Sequence, residues 1–309
     1  MGPEAARRIP RLLVLGAHGQ VGHELPRALR ELGQVTALDR SGADLAAPES
    51  LRAVVRQLRP DVIVNAAAYT GVDRAESEPD LAHTVNAVAP GVLAQEAQAV
   101  GACLVHYSTD YVFDGRKQTA YEESDTPNPL SAYGRSKLAG ERAVAEGCAR
   151  HLTLRTSWVM SAHGANFLKT MLRLAAERDS LRVVADQHGA PTGAALIADV
   201  TARALEALLQ ASERDVRWGL YHVTAGGETT WHGYARYVIG RARELGFTLK
   251  ATPDAVAPIP TVEYPTPAQR PRNSRLCTAR LRAAFSVDLP DWRQGVDQVL
   301  EQLRAEQQP

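Results

Sequence analysis

The chain has 309 residues, 45% of them hydrophobic, enough to bury a substantial core as one large or two modest domains. Lysine plus arginine equals aspartate plus glutamate at 35 each, so no bulk basic field exists to draw nucleic acid or a membrane surface. No apolar run approaches the roughly 18 residues of a spanning helix, and Cys103, Cys148 and Cys277 are far apart and lack metal-ligand spacing. They read as reduced structural thiols of a cytoplasmic protein, and neither they nor the nine histidines predict a metal site.

Met1–Pro10 is a polar leader without the apolar core of a signal peptide. Arg11–Gly16 (RLLVLG) is a short apolar run suited to a strand buried on both faces. It leads into Gly16, Gly19 and Gly22, and then into a helical pattern from Gln20 and Val21 to Leu32. A strand, glycine turn and helix in that order let backbone N–H groups approach a dinucleotide pyrophosphate. Pro26 inside that helix predicts a kink or a displaced start. Gln34–Asp39 reads as the second strand. Asp39, about twenty residues after the turn, suits adenosine ribose hydroxyls, whereas Arg40 suits a 2′-phosphate, so the choice between NADH and NADPH stays open. Asp44 and Leu45 follow, either as an adenine contact or as a plain loop.

Pro48–Arg59 has helical spacing, and Asp61–Ala68 (DVIVNAAA) is a third strand ending in small residues that leave room for a flat cofactor. Tyr69 and Thr70 are expected to face the same crevice. Asp73–Val100 is helical, with breaks expected at Pro79 and Pro90. Cys103–Val112 is the fourth strand and carries Thr109 and Asp110 to the edge where open α/β sheets bind ligands. Pro129–Arg150 is a helix bearing Tyr133 and Lys137. Residues four apart are neighbours on a helix, so an ammonium beside the phenol should lower its pKa and make Tyr133 a proton donor to a carbonyl oxygen. His151–Met160 is the fifth strand.

This alternation marks a doubly wound parallel sheet in a domain spanning 1–164. Residues 165–309 read mainly as a smaller α/β substrate-binding lobe, containing Asn166–Arg178, Leu181–Asp186, Trp218–Thr224, a helix near 231–245 and a terminal helix over 291–306. The helix Ala195–Gln210 is expected to pack back on the first domain. Arg270–Arg275 (RPRNSR) clusters three guanidiniums, whose forks suit a diphosphate unless the segment is a solvated basic loop.

The segments VNAAAYT, HYSTDYVFDG, YGRSKLAGE, RTSW, DQHGAPTG, YPTPAQRPRNSRL and LPDW, with GxxGxxG, together resemble the dTDP-4-dehydrorhamnose reductases, which are extended short-chain dehydrogenase/reductases. The resemblance runs from about residue 11 to the terminal helix. It implies a Rossmann-like fold and reduction of the C4 ketone of dTDP-6-deoxy-L-lyxo-4-hexulose by NADH or NADPH. It further implies that Tyr133 is the proton donor, that Lys137 bonds the nicotinamide ribose and that Thr109 bonds the carbonyl oxygen. Gly16, Gly19, Gln20, Val21, Gly22, Asp39, Arg40, Asp44, Leu45, Ala68, Tyr69, Thr70 and Tyr107 would contact the cofactor. Asp110, Trp158, Arg272 and Arg275 would contact the substrate.

Family members form dimers through Mg²⁺ held by two glutamates. Glu24 matches one, but Ala195 stands at the other, and a hard dication with fewer carboxylates binds weakly. The expectation is therefore no bound metal and a monomer or weak homodimer.

Other readings remain. A nucleotide-sugar 4,6-dehydratase is disfavoured because Tyr111 follows Thr109-Asp110 where an eliminating glutamate is needed. Another nucleotide-sugar reductase or an epimerase shares the fold, and a non-catalytic dinucleotide-binding regulatory subunit resembles the same enzymes.

Overall fold

The computed structural model describes residues 8–211 and 215–306. Most of the polar leader lies outside them. Six parallel strands form the central sheet: β1 (Arg11–Leu15), β2 (Gln34–Leu38), β3 (Val62–Asn65), β4 (Cys103–Thr109), β5 (His151–Thr156) and β6 (Gly219–His222). Their spatial order is β2-β1-β3-β4-β5-β6. Alternate residues of β1 enter opposite cores: Leu12 and Val14 on one face, Leu13 and Leu15 on the other. The uninterrupted apolar runs of the sequence follow from this, because helices cover both faces.

On one face lie α1 (Gln20–Leu29) and α7 (Ala194–Leu209); on the other lie α2 (Pro48–Leu58), α4 (Ala89–Val100) and α5 (Ala132–Gly147). Helix α7 lies on the core of the main sheet, where Ala198, Ala204 and Leu205 are buried. Two expectations change. The segment Trp218–Thr224, assigned to the smaller lobe, supplies β6, which pairs with β5. Helix α9 (Ala279–Phe285) also buries Leu281 and Phe285 in the first core. Chain order alone does not separate the units, because strand pairing is decided by space on the sheet edge. The smaller lobe has its own core, built from Met160, Leu168, Met171, Tyr234, Trp292 and Val296 on α6 (Phe167–Glu177), α8 (Trp231–Glu244), α10 (Trp292–Ala305) and the intervening segments.

Helix α1 starts at Gln20 and runs through Pro26, so the proline displaces neither its start nor its continuity. The prolines at 79 and 90 act differently. Pro79 opens α3 (Pro79–His83), and the turns over Thr84–Val88 widen to a π-helix before Pro90. Pro90 has no N–H to give to the carbonyl one turn earlier, and a single wide turn absorbs the defect without ending the helix.

Strand β2 lies on one side of β1 and β3 on the other, so the order of strand addition reverses there and opens a crevice at the C-terminal ends of β1 and β3. Gly16 there has φ +81°, a region where a side chain is strained. A Cβ on Gly22 would lie 1.9 Å from the Gly16 carbonyl oxygen. Gly22→Ala should therefore push α1 away from the turn, costing about 1–3 kcal/mol as overpacking does. It should also weaken dinucleotide binding about tenfold or more, read by fluorescence titration. Unchanged affinity would mean that the turn does not seat the pyrophosphate. Among the described residues no helix is long and apolar enough to cross a membrane.

Candidate active site

Strand β4 ends at Thr109, whose hydroxyl accepts from the Tyr111 N–H at 3.2 Å and donates to Asp110 at 3.1 Å. Helix α5 starts at Ser131, which caps it by accepting from the Gly134 N–H at 3.1 Å. Glu76 adds a second anchor by accepting from the Ala132 N–H at 2.8 Å. These contacts bring Tyr133 to the strand end, where the Tyr111 ring meets it edge-on at 5.5 Å and Thr109 is close enough to oppose the rise in its pKa.

Lys137 stands one turn further and is 2% exposed. Its Nζ donates to the Tyr107 carbonyl at 2.6 Å and lies 3.4 Å from His106 Nε2. Burial lowers its pKa to about 8, against an opposing attraction from Glu141. Burial raises Tyr133 to about 12. Helix spacing alone predicts an ammonium that lowers the phenol's pKa. Desolvation dominates and Lys137 is turned to the sheet, so i, i+4 proximity does not become a bond between the two side chains.

Asn86 went unnoticed in the sequence, where it is one polar residue in an apolar helical run. It is buried; its oxygen accepts from the Tyr69 N–H at 2.8 Å, and its nitrogen donates to the Tyr69 carbonyl and to Ser136, both at 3.0 Å. One amide thus ties the loop after β3 to the helix carrying Tyr133. Tyr69 itself turns inward, with its hydroxyl on Glu78 at 2.6 Å and its ring among Ala75, Ala82 and Ala132. Only its backbone is left to the crevice, contrary to expectation, while Thr70 is exposed.

At the other end of the crevice, Asp39 closes a turn by accepting from the Ser41 hydroxyl at 2.6 Å and its N–H at 2.9 Å. Those bonds, the Ser41 hydroxyl first, hold its carboxyl below the usual range. Arg40 faces Asp44 at 3.3 Å. Leu45 is buried in the core with Ala43 and Leu51, so it supports the loop from beneath. Tyr107 bonds Thr201 on α7 at 2.7 Å through its hydroxyl, which burial makes a weaker acid. Gln20, beside Val21 at the start of α1, accepts from Asn166 of the smaller lobe at 2.9 Å.

A cleft of about 1320 Å³ lies between the smaller lobe and the loops after β4. Seven Arg and Lys against three Asp and Glu line it, a sign that suits a diphosphate. Thr109, Tyr133 and Lys137 are outside that lining. The three guanidiniums expected to converge here diverge instead. Arg270 makes a two-pronged bond to Asp73 at 3.0 and 2.9 Å. Arg275 is committed to Asn273, Glu228 and the Gln118 carbonyl. Of these three, Arg272 is the one exposed in the cleft without a carboxylate partner among the described residues. Trp158 has φ +48° and stacks at 3.7 Å on Trp231, whose ring lines the cleft and whose Nε1 donates to Gln187.

Asp110 is 2% exposed; Thr109 bonds one of its oxygens, and Ser274 stands by the carboxyl. Burial raises its carboxyl to about 6, above the unfolded value, so the fold favours the acid form. The stabilising share is complete below about pH 4 and is lost as pH rises through about 6. Asp110→Asn should thus gain stability over the parent across that interval, levelling at about 2–3 kcal/mol above it. Urea melts at a series of pH values read this directly; a pH-independent difference would contradict the assignment.

A family model described as RmlD substrate binding domain matches residues 10–305. The chain is 51% identical over 287 residues to a dTDP-4-dehydrorhamnose reductase of Burkholderia thailandensis, covering 93% of this chain and 96% of that one. It is 50% identical over 296 residues to that of Shigella flexneri, covering 94% and 97%. Among solved structures, the dTDP-4-dehydrorhamnose reductase of Clostridium acetobutylicum superposes with TM-score 0.87 at 33% identity, over 95% of this chain and 99% of that one. The Bacillus anthracis enzyme in complex with NADP gives 0.85 at 35%, over 96% and 100%. With this match in sequence, fold and site order, the chain belongs to the dTDP-4-dehydrorhamnose reductase family.

Proposed function

We propose that the chain reduces the C4 ketone of dTDP-6-deoxy-L-lyxo-4-hexulose to dTDP-L-rhamnose, using NADPH or NADH. The observation that carries this reading is the placing of Thr109 at the C-terminal end of β4 and of Tyr133 in the first turn of α5, one turn before the buried Lys137 whose Nζ bonds the Tyr107 carbonyl of β4. When bound, the dinucleotide supplies the hydride. Tyr133, with its raised pKa, stays protonated at neutral pH and holds the proton that the substrate oxygen takes. Thr109 offers a second hydrogen bond to that oxygen.

Lys137 would hold the nicotinamide ribose, with Tyr107, Ala68 and the Tyr69 and Thr70 backbone beside it. Gly16, Gly19, Gln20, Val21 and Gly22 would seat the pyrophosphate, and Asp39, Arg40, Asp44 and Leu45 would form the adenosine corner. Asp110 and Trp158 would meet the sugar, and Arg272 the diphosphate. Arg275, with its donors committed, would act by ordering that loop.

The corner between α1 and α7 supports the absence of a Mg²⁺ bridge. Arg27 lies 3.5 Å from Glu24 and 2.8 Å from Asp199, and Ala195 offers no ligand, so a cation would face a guanidinium. A monomer or weak homodimer in the cytoplasm, with no nucleic-acid or membrane partner, completes the reading.

The test follows reduced-nicotinamide absorbance with purified protein, the prepared 4-keto sugar nucleotide and each cofactor in turn. Oxidation that yields dTDP-L-rhamnose supports the reading and ranks the cofactors. No oxidation by protein that binds the dinucleotide would favour the non-catalytic binding module.

A further inference from the structure

Beneath Tyr133 and Lys137 lies a buried contact that the proposed chemistry does not use. His106 on β4 is 1% exposed and sits between two nitrogens. The Asn65 side-chain nitrogen is 3.2 Å from its Nδ1, and Lys137 Nζ is 3.4 Å from its Nε2. A neutral imidazole has one donor and one acceptor, so it cannot accept from both. Burial holds His106 well below the usual histidine range, and the ring is neutral. The Asn65 oxygen accepts from the Ala67 N–H at 3.3 Å, which orients the amide so that its nitrogen faces the ring. Nδ1 is then the acceptor, and the ring proton lies on Nε2, pointing at Lys137. An ammonium has three donors and no acceptor. A neutral amine can take this bond while still donating to the Tyr107 carbonyl.

We propose that His106, held by Asn65 with its proton on Nε2, donates to the neutral amine form of Lys137, so that dinucleotide binding is coupled to proton uptake at Lys137 as that form becomes populated. His106 is thus a positioning residue acting through Lys137. The coupling rests on the reading of Lys137 as the ribose-binding residue, because ribose hydroxyls that accept from Nζ favour the ammonium. The proton taken up stands one helical turn from Tyr133, the group that loses its own to the substrate oxygen.

The groups around Lys137 agree with this. From α5, Glu141 favours the ammonium, but its carboxylate is shared with Arg155 of β5 at 2.8 and 2.6 Å. Tyr133 on the same helix is a neutral phenol. From β4 come His106 and the Tyr107 carbonyl, with Asn65 of β3 behind the ring. His151 of β5 acts on His106, and burial lowers its pKa against an opposing bond to the Cys148 carbonyl.

Two measurements on the intact, sugar-free protein test the proposal. Ring-labelled histidine NMR of the cofactor-free enzyme should show His106 with its proton on Nε2. The signal is identified by its loss in His106→Phe or, should that variant not fold, by its shift in Lys137→Met. A proton on Nδ1 overturns the proposal.

Titration calorimetry with NADPH, in buffers of different ionisation enthalpy, should show proton uptake that grows from about pH 7 to about pH 9. In His106→Phe the uptake at about pH 8 should fall about twofold or more. Binding without uptake by the parent protein overturns the coupling. Failure of NADPH to bind at all would instead strike the ribose-binding reading of Lys137, and the NMR result would still decide the tautomer.

Discussion

Tyr133→Phe is expected to lower turnover by about 10²–10⁴-fold, the usual contribution of a positioned general acid. Phenylalanine keeps the ring that packs beside Ala132 and against Tyr111, so the fold should be unaffected. Dinucleotide affinity should change little, because the glycine turn and Lys137 remain. The loss should appear in kcat and in kcat/KM together, since the missing bond is made as the substrate oxygen gains charge. Steady-state kinetics beside a dinucleotide titration separates the cases. Full turnover in the variant would remove Tyr133 from its role and leave Thr109 or a solvent proton as donor.

Arg155→Met is expected to cost about 3–5 kcal/mol of stability, the usual loss when one partner of a buried ion pair is removed. Both side chains are buried, and the bond is two-pronged, at 2.8 and 2.6 Å. Methionine leaves the Glu141 carboxylate out of water without a counter-charge, next to the Lys137 turn of α5. The pair Glu141→Leu with Arg155→Met removes both charges and should recover most of the loss, because a well-packed apolar replacement is often neutral. Urea melts of the three proteins form the test. A single variant within about 1 kcal/mol of the parent would mean that water reaches the carboxylate and the bridge contributes little.

Local sequence determined much of this molecule. Buried strands read as apolar runs, the glycine turn at the first strand and helix, and Tyr133 with Lys137 four apart were all visible, because each depends on neighbours within a few residues. The family's segments, taken in order, carried the substrate. The partners that shape the site were not visible. Asn86 bonds Tyr69 and Ser136, Asn65 orients His106, and Arg155 meets Glu141. Each is a polar residue whose meaning comes from a group on another element of the fold. The same holds for Gly219–His222, which joins the main sheet, and for the three arginines of RPRNSR, which divide among Asp73, the cleft and Glu228.

The electrostatics followed the same division. Spacing along a helix put an ammonium near a phenol, but burial raised Tyr133 and lowered Lys137. Sequence alone determined which reactive groups the chain carries and which secondary structure presents them. Only the tertiary structure decided their protonation and partners, because desolvation and hydrogen bonding depend on what the rest of the fold packs around a side chain.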